Sequence, residues 1–96
     1  MQLVIAYDVS TSDLAGTRRL KRVAKVCEAF GQRVQNSVFE CTIDQMQLEQ
    51  FVHRIEQVMD LAQDSLRIYR LPPIREQSLQ VLGKTLTYDI HDPLIV

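Results

Sequence analysis

RVQNSVFECTI, residues 33–43, lies between two segments with helical periodicity, and what it forms decides how many strands the chain lays between them. Val34 and Val38 alternate against Gln35, Ser37, Phe39 and Cys41, so residues that fit a pleated, half-buried surface recur along its length with the two faces mixed. The stretch reads as one strand, Arg33 to Ile43. Immediately upstream, Leu20, Val23, Ala24, Cys27 and Phe30 fall at helical spacing and make one core-facing stripe, with Gly31 as the C-cap. Ser10, Thr11, Ser12 and Asp13 offer N-caps for that helix. Immediately downstream, Asp44 caps a second helix, with Gln47 placed for a capping box. Its stripe is Leu48, Phe51, Val52, Ile55 and Met59.

The flanks complete the pattern. Leu3 to Val9 is apolar at nearly every position and reads as a strand buried on both faces, yet it delivers a carboxylate, Asp8, to its own tip. Ser65 to Leu71 is a further strand, ended by Pro72-Pro73, and Leu79 to Leu82 another, stopped at Gly83-Lys84. In so short a chain, two helices of similar length both cover one face of the sheet. The expected architecture is an α/β (α+β) sandwich of ferredoxin-like type, an antiparallel sheet under two helices. Residues 1–96 form a single domain. Its segment 86–96 ends in Leu94, Ile95 and Val96, costly to leave in water and expected to pair with a sheet edge, its own or a partner's.

Composition sets limits on function. At 96 residues the chain is near the lower end of what one core stabilises alone, so an oligomer is expected. Hydrophobic residues are 46% and charged residues 24%, as in soluble globular proteins. A net charge of −1 excludes a whole-molecule polycation and leaves only local clustering to meet nucleic acid. Cys27 and Cys41 have no zinc spacing and read as buried free thiols in a reducing compartment. The N-terminal apolar run has no basic region before it, so it does not read as a signal peptide, and no apolar stretch approaches bilayer length; the expected location is the cytoplasm.

Few residues offer chemistry. Arg18, Arg19, Lys21, Arg22 and Lys25 crowd the first helix, either as a solvated face or as a positive field for phosphates. Arg33, Arg67, Arg70 and Arg75 are scattered, and Arg67 and Arg70 point to opposite faces of their strand. Asp8 either bonds the amides of the following turn or serves as a hard-cation ligand. One carboxylate per chain is a thin magnesium site, whereas two copies across a twofold axis make a plausible one. Ser37 has no evident base, and Phe39 is either core or a stacking platform. His53 and His91 lack a second ligand at metal spacing. With three glycines there is no glycine-rich phosphate loop, and no Ser-His-Asp or Cys-His constellation is present.

IAYDVS, residues 5–10, followed by TRRLKRVAKVCEAFGQRVQNSVFECTI, residues 17–43, resembles the CRISPR-associated Cas2 family. Tyr7-Asp8, the basic helix, Gly31, Arg33 and the SVFE strand recur in order. The resemblance implies a homodimer of ferredoxin-like protomers with facing sheets and C-terminal segments crossing between them. It implies partnership with the Cas1 integrase in spacer acquisition, and a metal-dependent nuclease acting on RNA or double-stranded DNA. On that resemblance Asp8 is the catalytic acid and Mg²⁺ ligand at the dimer axis, Tyr7, Arg33, Ser37 and Phe39 lie about the catalytic cleft, and Arg18, Arg19 and Arg22 hold nucleic acid. Paired Asp8 carboxylates repel one another, and a divalent cation relieves that repulsion while polarising a phosphodiester. Two other functions compete. A non-catalytic DNA-holding scaffold needs the basic residues but not Asp8, and a small-molecule regulatory module needs a saturable pocket and no nucleic-acid affinity.

Overall fold

The structure is a computed structural model that describes residues 1–72 and 79–83. Six elements follow in order: β1 (Gln2–Asp8), α1 (Leu14–Phe30), β2 (Gln32–Gln35), β3 (Val38–Thr42), α2 (Gln45–Val58) and β4 (Ser65–Leu71). They form one antiparallel sheet in the order β2-β3-β1-β4. The two crossovers, β1-α1-β2 and β3-α2-β4, each leave room for one strand between their ends, and each gap is filled from the other crossover. This is the split βαβ arrangement of a ferredoxin-like fold.

Residues 33–43 do not make one strand. Asn36 and Ser37 turn the chain, and β2 and β3 pair as a hairpin in which Gln32 faces Glu40 and Gln35 faces Val38. A two-residue hairpin turn ordinarily uses left-handed residues, because their twist matches that of the strands. Among the described residues no non-glycine has positive φ, so this turn lacks that match. The ladder slips between Arg33 and Gln35, where a bulge absorbs the difference. The extra strand makes the element order βαββαβ. It also brings the sheet to four strands without Leu79–Leu82, which is not strand among the described residues. Residues 86–96, His91 and Arg75 lie outside the described residues.

β1 is central, and its burial alternates: Leu3, Ile5 and Tyr7 are buried, whereas Gln2, Val4 and Ala6 are only partly so. The expectation of burial on both faces therefore fails within one chain, because both helices lie on the same side. Leu3, Ile5, Tyr7, Phe39 and Cys41 from the sheet meet Val23, Val26 and Cys27 of α1 and Leu48, Phe51 and Ile55 of α2 in one core. Of the expected α2 stripe, Val52 is exposed instead. Both caps form as the sequence suggests. Asp13 Oδ1 accepts from Gly16 N–H at 2.8 Å, and Asp44 and Gln47 make a reciprocal capping box. Gly31 caps α1 with extended backbone, so its need is proximity rather than handedness. A Cβ there would stand 2.5 Å from the Glu40 carbonyl oxygen and 2.7 Å from Cys41 Cβ.

Candidate functional site

The strand alternation of β1 separates two neighbours that the sequence joins. Tyr7 points into the helix-covered side and is buried, while Asp8 is exposed at the strand tip, on the face that neither described helix covers. The backbone at and just before Asp8 is held by both neighbouring strands' ends. Asp8 itself pairs with Ser65, the first residue of β4, in the β1–β4 ladder. Tyr7 N–H donates to the Ser37 carbonyl at 3.1 Å, and Tyr7 Oη–H to the Asn36 carbonyl at 3.4 Å. The hairpin turn is thus fastened to β1 one residue before the acid. Ser37 takes part through its carbonyl.

Tyr7, Phe39 and Arg33 form a second group on the opposite face. The Tyr7 and Phe39 rings stack with centroids 6.1 Å apart, and the Arg33 guanidinium lies 5.2 Å over the Phe39 ring while pairing with Glu28 at 3.3 Å. Phe39 has no exposed surface, so within one chain it is core and not a stacking platform for bases. Burial, chiefly, pushes the Tyr7 hydroxyl above its ordinary range. The structure therefore does not gather the five expected catalytic residues into one cleft. Asp8 stands on the open face, and Tyr7, Phe39 and Arg33 stiffen the sheet beneath it.

The basic helix divides in the same way. Arg18, Lys21, Arg22 and Lys25 are all exposed and fall within one face of α1 at i, i+3, i+4 and i+7. Arg19 lies a third of a turn away, on the packed side. Its Nε donates to Asp64 Oδ2 at 2.8 Å and its Nη2 to Oδ1 at 3.2 Å. Asp64 also accepts from Ser10 N–H at 3.0 Å and Asp60 N–H at 2.9 Å, and its side chain has no exposed surface. The bond from Arg19, first of all, holds the Asp64 carboxyl well below the usual range, at about 2. Sequence reasoning missed Asp64 altogether. It sits in a polar loop, DLAQD, whose composition gives no sign that one acid turns inward.

Other groups are chemically quiet. Cys27 and Cys41 are free and buried, and burial pushes the Cys27 thiol up to about 12, which removes thiolate chemistry near neutrality. His53 shares a hydrogen bond with Gln57 one helical turn on, at 3.1 Å. Arg67 meets the Tyr69 hydroxyl, whereas Arg70 reaches Gln45 at the start of α2, so the two do point to opposite faces. Among the described residues no three His, Cys, Asp or Glu side chains group to hold a metal ion. None of the described helices is long and apolar enough to cross a membrane.

Comparison with known proteins agrees with this layout. The family model described as CRISPR associated protein Cas2 matches residues 1–78. The chain is 50% identical to the CRISPR-associated endoribonuclease Cas2 1 of Moorella thermoacetica over 96 residues, which covers 100% of each. It is 46% identical to the CRISPR-associated endonuclease Cas2 of Halalkalibacterium halodurans over 95 residues, covering 99% of each. The crystal structure of Streptococcus pyogenes Cas2 superposes with a TM-score of 0.77 at 42% identity, over 86% of this chain and 100% of that one. With the βαββαβ order, the Tyr7-Asp8 strand tip and matches spanning the chain from end to end, the protein belongs to the CRISPR-associated Cas2 family.

Proposed function

We propose that the protein is a metal-dependent endonuclease that works as a homodimer on RNA or double-stranded DNA and supports spacer integration with the Cas1 integrase. The observation that carries this reading is the sheet face that neither described helix covers, with Asp8 at its rim. Val4, Ala6 and Val38 are only partly buried there, and Tyr69 is 45% exposed and Leu71 37%. Apolar residues arrayed on a twisted sheet favour a second layer, and a second copy of the same face supplies one by symmetry. Such an arrangement brings two Asp8 carboxylates toward one axis. Asp8 brings one carboxylate per chain to the strand tip, and among the described residues no three His, Cys, Asp or Glu side chains group to hold an ion, so it fits Mg²⁺ as half of a two-copy site, because magnesium keeps several waters and takes one or two carboxylates. The ion supplies Lewis-acid charge to a phosphodiester when bound. The chain's own part is to hold the acid at a rigid strand tip and to present cationic side chains to the backbone phosphates. Relatives named as endoribonuclease and as endonuclease support cleavage, and they differ on whether RNA alone is the substrate.

The exposed row Arg18, Lys21, Arg22 and Lys25 favours a second reading, a DNA-holding scaffold without chemistry. Asp8→Asn separates the two, since it keeps the shape and removes the ligand charge. Cleavage of labelled RNA and duplex DNA by wild type is expected to need Mg²⁺, to stop with EDTA and to be lost in Asp8→Asn, with dimerisation by sedimentation unchanged. Equal cleavage by both proteins refutes the role of Asp8. No cleavage by either, with spacer integration intact in both, leaves the scaffold.

A further inference from the structure

The acid at the tip of β1 is held from behind by residues with no access to the open face. Asp64 immediately precedes Ser65, the ladder partner of Asp8, and its carboxylate receives four hydrogen bonds. One comes from Ser10 N–H, two residues beyond Asp8. Another comes from Asp60 N–H in the loop after α2, and two from the Arg19 fork. Arg19 Nη2 also approaches the Ser10 carbonyl, at 3.5 Å. Asp8 therefore stands between two fastened residues, Tyr7 on the hairpin turn and Ser10 on Asp64, while its own side chain is exposed. A bidentate Arg–carboxylate pair has little positional freedom, and its burial makes any alternative geometry expensive.

From this geometry we infer that Asp64 and Arg19 are positioning residues for Asp8: the buried pair fixes the β1–α1 turn and with it the location of the acid on the open face. Arg19 accordingly differs in role from Arg18 and Arg22. Its guanidinium is committed to Asp64 and is 14% exposed, whereas its neighbours are free to meet phosphates. The inference rests on the reading of Asp8 as the catalytic acid.

The test uses the full-length protein with Asp64→Asn, Arg19→Gln, Arg19→Lys and the double variant Asp64→Asn/Arg19→Gln, beside Arg18→Gln and Asp8→Asn. Cleavage of a labelled RNA duplex or DNA duplex in Mg²⁺ gives kcat and KM. Anisotropy titrations of the same probes at several salt concentrations, without Mg²⁺, give the salt dependence of binding. A positioning role lowers kcat by about tenfold or more in Asp64→Asn and Arg19→Gln, since misplacement of a reacting group by an ångström costs up to about a hundredfold. KM stays within about twofold, and the double variant is no worse than the poorer single one, as for residues acting as one unit. Arg19→Lys, which keeps the charge and loses the fork, falls between. The salt slope of Arg19→Gln matches wild type, whereas that of Arg18→Gln falls by about one. Hydrogen exchange supplies a measurement independent of activity: the amides of residues 9 and 10 exchange faster in Asp64→Asn while those of α2 stay protected.

A reduced salt slope in Arg19→Gln together with unchanged kcat in Asp64→Asn overturns the inference and makes Arg19 a phosphate contact. Unchanged exchange at residues 9 and 10 in Asp64→Asn overturns it as well. Should Asp8→Asn cleave at the wild-type rate, the catalytic reading of Asp8 fails, and with it the inference that the pair serves catalysis; loosened exchange then leaves the pair a structural tie. If Asp64→Asn does not fold, judged by far-ultraviolet circular dichroism, Arg19→Lys decides by the same kcat and exchange measurements.

Discussion

Gly16→Ala sets two effects of opposite sign against one another. Gly16 is in the first turn of α1, and alanine there gains up to about 1 kcal/mol of helix propensity. On propensity alone the substitution stabilises. Gly16 is buried, however, and a Cβ there would run into the carbonyl oxygen of Ser10, with the carbonyl carbon at 3.0 Å and Asp13 Oδ1 at 3.2 Å. The nearest atom is backbone, so no side-chain rotation relieves it. The turn must move, and the bond from Ser10 N–H to Asp64 opposes that. A hydrogen bond to a charged acceptor is worth about 1.5–3 kcal/mol, and overpacking elsewhere in well-packed regions costs about 1–3 kcal/mol. Steric cost exceeds propensity, and the net is a loss of about 2 kcal/mol. In a domain of this size that lowers Tm by about 10 °C. The assay is thermal unfolding followed by circular dichroism, at one protein concentration so that association does not shift the midpoint. Lys25→Ala, in the exposed middle of the same helix, is the control and changes Tm by little. A Gly16→Ala protein as stable as wild type or more so refutes the close approach of α1 to the β1–α1 turn.

Other perturbations follow from the same contacts. Asp64 has a folded pKa of about 2, below its ordinary 3.8, so the unfolded chain binds more protons between those values and stability falls with the pH there. Acid unfolding is expected to begin as the pH drops below about 4 and to flatten in Asp64→Asn; an unaltered acid limb in that variant argues against the pair. Phe39→Ala is expected to cost about 3–5 kcal/mol in urea unfolding, because it opens a cavity under Tyr7 and removes the surface on which Arg33 rests; a loss under about 1 kcal/mol would mean that the ring is not core. Asp44→Ala removes one half of the α2 capping box and is expected to cost about 1 kcal/mol, read by the same method, with nucleic-acid binding unchanged.

The architecture was legible where periodicity reports it. The α1 stripe, the Asp44–Gln47 box, the Ser65–Leu71 strand and the Gly31 stop each rest on local chemistry that the structure repeats. The hairpin was not, because its turn is Asn36-Ser37, without glycine or proline, and apolar alternation runs on either side of it. A bulge, which is a property of the pairing and not of either strand, makes such a turn workable. Burial of β1 on one face only was likewise hidden, since its outward residues are as apolar as those of a doubly covered strand. Asp8 was legible as an acid ending an apolar strand. Its separation from Tyr7 follows from alternation alone, whereas a linear motif presents the two as a unit. The Arg19–Asp64 pair spans 45 residues and joins helix α1 to the loop after α2, so no local pattern announces it.

Placing β1 between β3 and β4 has a consequence for the order in which the chain acquires structure. β1 leaves the ribosome before both its partners and needs residues 38–42 for one edge and residues 65–71 for the other. Its partner β3 follows early, but the strand stays unpaired on one side until residues 65–71 have been made. Over that interval an apolar strand with a bare edge is open to pairing with other nascent chains. The long separations also raise contact order, and folding is slowed accordingly. The strand that ends on Asp8 is thus completed by the last described strand, and the interval before β4 arrives is when it is open to wrong pairing.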